Sequence, residues 1–214
     1  MGVTLKLATS LDGRIATAGG ESRWITGQAA RDAGHRLRAE HDAVVIGVET
    51  ALTDDPELTV RLDGFTGRQP ARVVFDSRQR LRPDAKLVVT AREVPTTVVT
   101  LMEPSAVLTS AGVNVIRVPA APDGRPDVLA ALSALAAEGL GRLMVEGGGR
   151  LAASFLQAGR VDRIEWFRAP ILLGAEGRPA IGPLAMDRLE DSPRFARVSA
   201  EAVGEDLWER YERF

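Results

Sequence analysis

The chain has 214 residues, 45% apolar and 26% charged, with 27 basic against 29 acidic side chains. That balance is ordinary for a folded globular protein and excludes both a disordered tail and a strongly basic nucleic-acid binder. The absence of cysteine excludes disulfides, thiolate zinc sites, iron–sulfur clusters and a cysteine nucleophile, and two histidines, His35 and His41, are too few for a histidine-built catalytic zinc.

No apolar run approaches the roughly 18 residues of a membrane span. Met1–Lys6 shows no signal-peptide pattern, and Lys6 stands where a myristoylation motif wants serine or threonine. The expectation is one domain over residues 1–214, cytoplasmic, without metal, membrane or nucleic-acid partner.

In chain order, Val3, Leu5 and Leu7 alternate with Thr4, Lys6 and Ala8, which predicts a strand over Val3–Ala8. Ser10–Arg14 is a loop with an Asp12-Gly13 turn, and Ile15–Ala18 a short return strand broken by Gly19-Gly20. Thr26 is the expected N-cap of a helix over Gln28–Glu40, with Ala30, Ala33, Gly34 and Leu37 on its apolar stripe and Arg31, His35 and Arg38 on another face. Strands are expected at Ala43–Gly47, Arg72–Asp76, Lys86–Thr90, Thr97–Leu101 and Val113–Val118, with a short helix over Ser105–Ala111. Asp63–Pro70 reads as a surface loop. A helix over Val128–Glu138, closed by Gly139, leads to a strand Leu143–Glu146 and a helix Arg150–Ala158, closed by Gly159. Arg163–Phe167 and Leu207–Phe214 are late strands. Strands alternating with helices imply a mostly parallel sheet covered on both faces, and the late pair implies an antiparallel edge.

Five constellations carry candidate chemistry. Glu146-Gly147-Gly148-Gly149 joins a strand to a helix, where glycines admit a phosphate to free N–H groups, or simply make a tight turn. Thr50–Arg61, with Asp54-Asp55-Pro56, follows a buried strand and so lies at a carboxyl end, where open α/β sheets place ligands; a cap or turn is the plainer reading. Arg38 and Arg61 form a phosphate clamp if their guanidiniums converge, and are two solvated arginines if not. Trp24, in Ser22–Thr26, is either a ring-stacking platform or ordinary packing. Asp76–Arg80 joins the Ser77 hydroxyl to Arg78 and Arg80 at another strand end, which suits an adenosine 2′-phosphate as well as it suits a plain loop. His35 and His41 read as packing or helix-surface residues.

Taken together and in order, Lys6–Arg14, Gly20–Thr26, Leu37–Ala43, Asp54–Arg61, Asp76-Ser77 and Val145–Gly149 resemble the reductase domain of the bifunctional riboflavin-biosynthesis deaminase–reductase family, over essentially the whole chain. The resemblance implies a dihydrofolate-reductase-like α/β/α sandwich with a mixed, mostly parallel sheet. It implies NADPH-dependent reduction of 5-amino-6-(5-phosphoribosylamino)uracil, and a homodimer. It makes Ala8, Trp24, Thr50, Asp54, Ser77, Gly148, Gly149, Arg150 and Leu151 NADPH contacts, and Ser22, Arg38, Leu58, Arg61 and Glu146 contacts to the phosphorylated small-molecule substrate. The family's zinc deaminase signature of histidine, glutamate and paired cysteines is absent, so the chain resembles the stand-alone form or a paralogue with a drifted substrate. The competing expectations are a same-fold reductase of a pterin or other heterocycle, and a non-catalytic NADP-binding module. The proton donor is left between Asp54 and water.

Overall fold

A computed structural model describes all 214 residues. The N-terminal alternation forms β1 (Gly2–Thr9), followed by β2 (Arg14–Ala16), α1 (Gln28–Ala39), β3 (Ala43–Gly47), α2 (Val48–Asp54) and β4 (Ala71–Phe75). Then come α3 (Lys86–Val89), β5 (Thr96–Thr100), α4 (Ala106–Ser110), β6 (Asn114–Arg117), α5 (Val128–Ala137) and β7 (Arg142–Gly147). The chain ends with α6 (Gly149–Gln157), β8 (Arg163–Arg168), β9 (Arg178–Pro179), a 3₁₀ turn at Leu189–Asp191, β10 (Phe195–Val203) and β11 (Asp206–Arg213).

The main sheet runs β10-β11-β8-β1-β7-β3-β4-β5-β6. Every pairing from β8 to β6 is parallel, and β11 and β10 add an antiparallel edge. The strands between are apolar on both sides because both faces are covered. Val3, Leu5, Val45, Val73 and Val145 pack with Leu132 and Leu135 of α5 and Phe155 of α6. Val44, Ile46, Val74, Val98 and Met144 pack with Ala33 and Leu37 of α1, Ala51 of α2, Leu87 of α3 and Leu108 of α4. The result is the three-layer, mostly parallel sandwich that the resemblance implies. β1 starts mid-sheet, β3 to β6 are laid outward on one side, and β7 returns between β1 and β3. That reversal falls beside β1, β7 and β3, and it is at the carboxyl ends of such strands that α/β sheets bind ligands.

Several local expectations are corrected. Lys86–Thr90 is not a strand; Lys86–Val89 is the helix α3. A short apolar run has no period of its own, and here the Arg72 side chain, 1% exposed, decides it by donating to the carbonyls of Leu87, Thr90 and Val94. The N-cap of α1 is Gly27, not Thr26: the Gly27 N–H is taken by the Asp206 carboxylate at 2.7 Å, and Thr26 is buried. The return strand does not pair with β1; β2 pairs with β9 in a separate two-stranded sheet. Besides the two-residue β9 and the 3₁₀ turn, two longer elements go unread in the sequence. They are α2, which starts as soon as β3 ends, and β10, an alanine-rich, mostly exposed edge strand.

Candidate active site

The corner between β7 and α6 is built from three glycines because nothing larger fits. Gly148 has φ +88°, a conformation that disfavours any side chain. A Cβ on Gly149 would lie 2.7 Å from the Pro179 carbonyl oxygen. The Gly182 N–H donates to the Gly149 carbonyl at 2.8 Å, so the segment after β9 is seated against this corner. The first bond of α6 runs from Ala152 N–H to Gly148 C=O at 3.0 Å. The N–H groups of Gly149, Arg150 and Leu151 therefore have no intrahelical acceptor, and no side chain caps them. Leu151 is buried in the core and fixes the helix start, while Arg150 is exposed. Thr50, on α2, packs against the same turn; a Cβ on Gly147 would meet its Oγ1 at 2.9 Å.

Glu146, the last side chain before this corner, turns toward α1. Arg38 Nε donates to its Oε1 at 2.6 Å and Nη2 to its Oε2 at 2.8 Å, a bidentate pair that is 14% and 9% exposed. Arg38 Nη1 donates to the Thr59 carbonyl at 2.8 Å. Burial pushes the Glu146 carboxyl up, but the Arg38 charge and hydrogen bonds, with help from Lys6, hold it at about 2. Lys6 projects from β1 on the same side; burial pushes its ammonium down, Glu146 opposes this and Arg38 adds to it. The two arginines expected to clamp one phosphate thus have different situations. Arg38 spends its fork on Glu146. Arg61 is the exposed guanidinium, 3.7 Å from Glu57, with its backbone N–H held by His35 Nδ1 at 3.2 Å.

Ala8 stands in register with Phe167 near the end of β1. Ser22 is half-buried in the loop before α1 and makes no hydrogen bond within the chain. Trp24 is 68% exposed, with the Arg31 guanidinium 4.4 Å from its ring centre and that of Arg23 at 5.9 Å. Asp54 ends α2; burial pushes its carboxyl up, while the nearby Arg23 and Arg178 pull it down. The Trp24 loop thus lies near the end of α2. Leu58 is 4% exposed at φ +58°, its side chain packed into the core. Ser77, Arg78 and Arg80 line a cavity of about 260 Å³. Asp76, buried beneath it, shapes that turn by accepting from the N–H groups of Leu81 at 2.8 Å and Arg78 at 3.3 Å.

Residues 2–208 match the RibD C-terminal domain family. The chain belongs to that family. This RibD C-terminal domain is 39% identical over 214 residues to the riboflavin biosynthesis protein RibD of Aquifex aeolicus, covering 99% of this chain and 58% of that protein. It is 36% identical to a 2,5-diamino-6-ribosylamino-4(3H)-pyrimidinone 5′-phosphate reductase of Methanothermobacter thermautotrophicus, covering 98% of this chain and 96% of that one. Among solved structures it superposes on RibD of Acinetobacter baumannii with a TM-score of 0.85 at 31% identity, over 100% of this chain and 58% of that one. The chain thus spans little more than half the length of the RibD proteins it matches.

Two members of the site escape sequence reasoning. Lys6 sits in a strand whose alternation reads as one apolar and one polar face; its signal is a lysine at a position that the sheet covers. The Thr59 carbonyl, a backbone group, leaves no signal in residue type.

Proposed function

We propose that this RibD C-terminal domain is an NADPH-dependent reductase of a ribosylamino-pyrimidine 5′-phosphate, the uracil form being the first candidate. The observation that carries the reading is one juxtaposition. Glu146, held ionised by Arg38, immediately precedes a glycine corner whose helix N–H groups are free. A dinucleotide diphosphate fits the corner, because its three glycines let backbone approach it and the N-terminus of α6 favours an anion. Ser77, Arg78 and Arg80 fit the 2′-phosphate that distinguishes NADPH from NADH. Trp24 and Asp54 would hold the nicotinamide end. A cofactor bound there would supply a hydride to the substrate.

The chain's own residues do the rest. Arg61, exposed and held only by a loose 3.7 Å pairing with Glu57, anchors the substrate phosphate. Glu146 accepts hydrogen bonds from the substrate, and Arg38 keeps that carboxylate charged and aimed. Ring opening of the ribosylamine gives an imine whose first sugar carbon takes the hydride, and its nitrogen then needs a proton. Lys6, an ammonium weakened by burial beside Glu146, holds that proton at Nζ. Holding the reacting carbons roughly 3–3.5 Å apart supplies several kcal/mol of the acceleration.

The test follows loss of NADPH absorbance with the phosphoribosylamino-uracil, its diamino-pyrimidinone counterpart and a pterin as separate substrates. Turnover of either ribosylamino substrate supports the reading. NADPH binding without oxidation of any of them overturns it.

A further inference from the structure

His35 lies on α1 one turn before Arg38 and has no role in the reaction as described. Its Nδ1 accepts the Arg61 backbone N–H at 3.2 Å. A ring nitrogen that accepts carries no proton, so the neutral imidazole makes this bond. The segment around Arg61 has few other holds. Arg38 takes the Thr59 carbonyl, and the Gln69 side chain takes the Val60 N–H at 2.7 Å and the Val60 carbonyl at 3.1 Å. The Arg61 guanidinium itself has only the 3.7 Å approach to Glu57. Its direction is therefore set by its own backbone, and His35 is the one side chain that holds the Arg61 N–H itself.

We propose that His35 is a positioning residue for the substrate phosphate: its neutral ring holds the Arg61 backbone in place, and protonation of the ring releases it. The inference rests on reading Arg61 as the phosphate anchor. The charged groups facing the ring are Arg38 from its own helix, Arg61 from the segment it holds, and Glu146 from β7, with Lys6 of β1 beyond Glu146. A protonated ring would be a further cation beside two guanidiniums and would present N–H to N–H at Arg61. Burial first, then Arg38 and Arg61, push the imidazole below its ordinary value, with Glu146 and a hydrogen bond to the Thr59 backbone opposing. The neutral form is thus the resting one, and release sets in only below the ordinary histidine range.

The experiment is steady-state NADPH oxidation with the phosphoribosylamino-uracil from about pH 5.5 to 8, in the wild type, His35→Ala and His35→Asn. Asparagine places an untitratable acceptor oxygen near the position of Nδ1. Losing one neutral hydrogen bond corresponds to roughly three- to tenfold in affinity. At pH 8, His35→Ala is expected to raise the substrate KM by that factor, with kcat and the NADPH KM unchanged, and His35→Asn to restore it. Substrate phosphate also titrates at about pH 6, so the decisive signature is the difference between proteins: on acidification the wild-type KM climbs more steeply than that of His35→Asn. Active wild type with an unchanged KM in His35→Ala, or with parallel pH profiles in wild type and His35→Asn, overturns the inference and leaves the reductase reading standing. No wild-type turnover at any pH overturns both.

Discussion

Replacing Arg38 by methionine removes the bidentate partner of Glu146 while keeping much of the buried stem. In the folded chain burial pushes the Glu146 carboxyl up, but Arg38 and Lys6 outweigh it and hold the group at about 2, against its ordinary 4.5. At about 1.4 kcal/mol per unit, that depression corresponds to roughly 3 kcal/mol of folding free energy at neutral pH. The pair is 14% and 9% exposed, so solvent screening removes little of it. The folded value lies below the unfolded one, so this contribution is complete above about pH 4.5 and is lost as pH falls toward 2. Breaking one side of a buried pair typically costs about 3–5 kcal/mol, because a charge is left uncompensated. Urea unfolding at pH 7 should therefore show Arg38→Met less stable by about 3 kcal/mol. The variant should also lack the share of acid destabilisation that the wild type shows between pH 4.5 and 2. Adding Glu146→Leu should recover much of the loss at neutral pH, since the stranded carboxylate is then gone. A single-variant loss below about 1 kcal/mol, or an acid limb identical to that of the wild type, would refute the view that this pair anchors β7 to α1.

Three further outcomes follow from the site. Arg61→Ala should raise the substrate KM far more than the NADPH KM; equal effects on both in steady-state kinetics would reject Arg61 as the phosphate anchor. Arg78→Ala should lower the preference for NADPH over NADH by about tenfold, the worth of one charge-assisted hydrogen bond, measured as the ratio of the two kcat/KM values; Arg80, paired with Glu49 at 2.6 Å, should matter less. Because a Cβ at Gly149 would stand 2.7 Å from the Pro179 carbonyl, Gly149→Ala should force that backbone apart and weaken NADPH binding in a fluorescence titration more than it weakens substrate binding.

The fold was legible in the sequence wherever a strand is covered on both faces. Ala43–Gly47 and Arg72–Asp76 read as strands because continuous apolar runs between turn signals have few other uses, and β3 and β4 follow within a residue. Lys86–Thr90 failed for the same reason: Leu87 and Val88 are buried, yet a four-residue run carries no period, and the outcome was decided by Arg72 reaching in from a different strand. β10 was invisible because it is exposed. Its residues need only pair with β11, and the register slip between Arg197 and Ser199 spoils the alternation further. The missed cap of α1 has a similar origin, since its acceptor, Asp206, comes from the far end of the chain.

The site was legible as parts and not as an arrangement. The glycine corner announced itself because three adjacent glycines between a strand and a helix have a local steric cause, one that the 2.7 Å approach at Gly149 makes explicit. Arg38 and Glu146 were both singled out, but as separate contacts to substrate. Nothing in a sequence states that residues 108 positions apart share two hydrogen bonds. That pairing changes the chemistry assigned to each. A guanidinium committed to a carboxylate has less of its fork to give to a phosphate, so the proposed reading assigns the anchoring role to Arg61, whose backbone N–H His35 accepts. The histidine that looked like packing thereby becomes the group through which proton concentration reaches the substrate site. Arg38 becomes the reason Glu146 stays an acceptor down to a pH well below its ordinary carboxylate range.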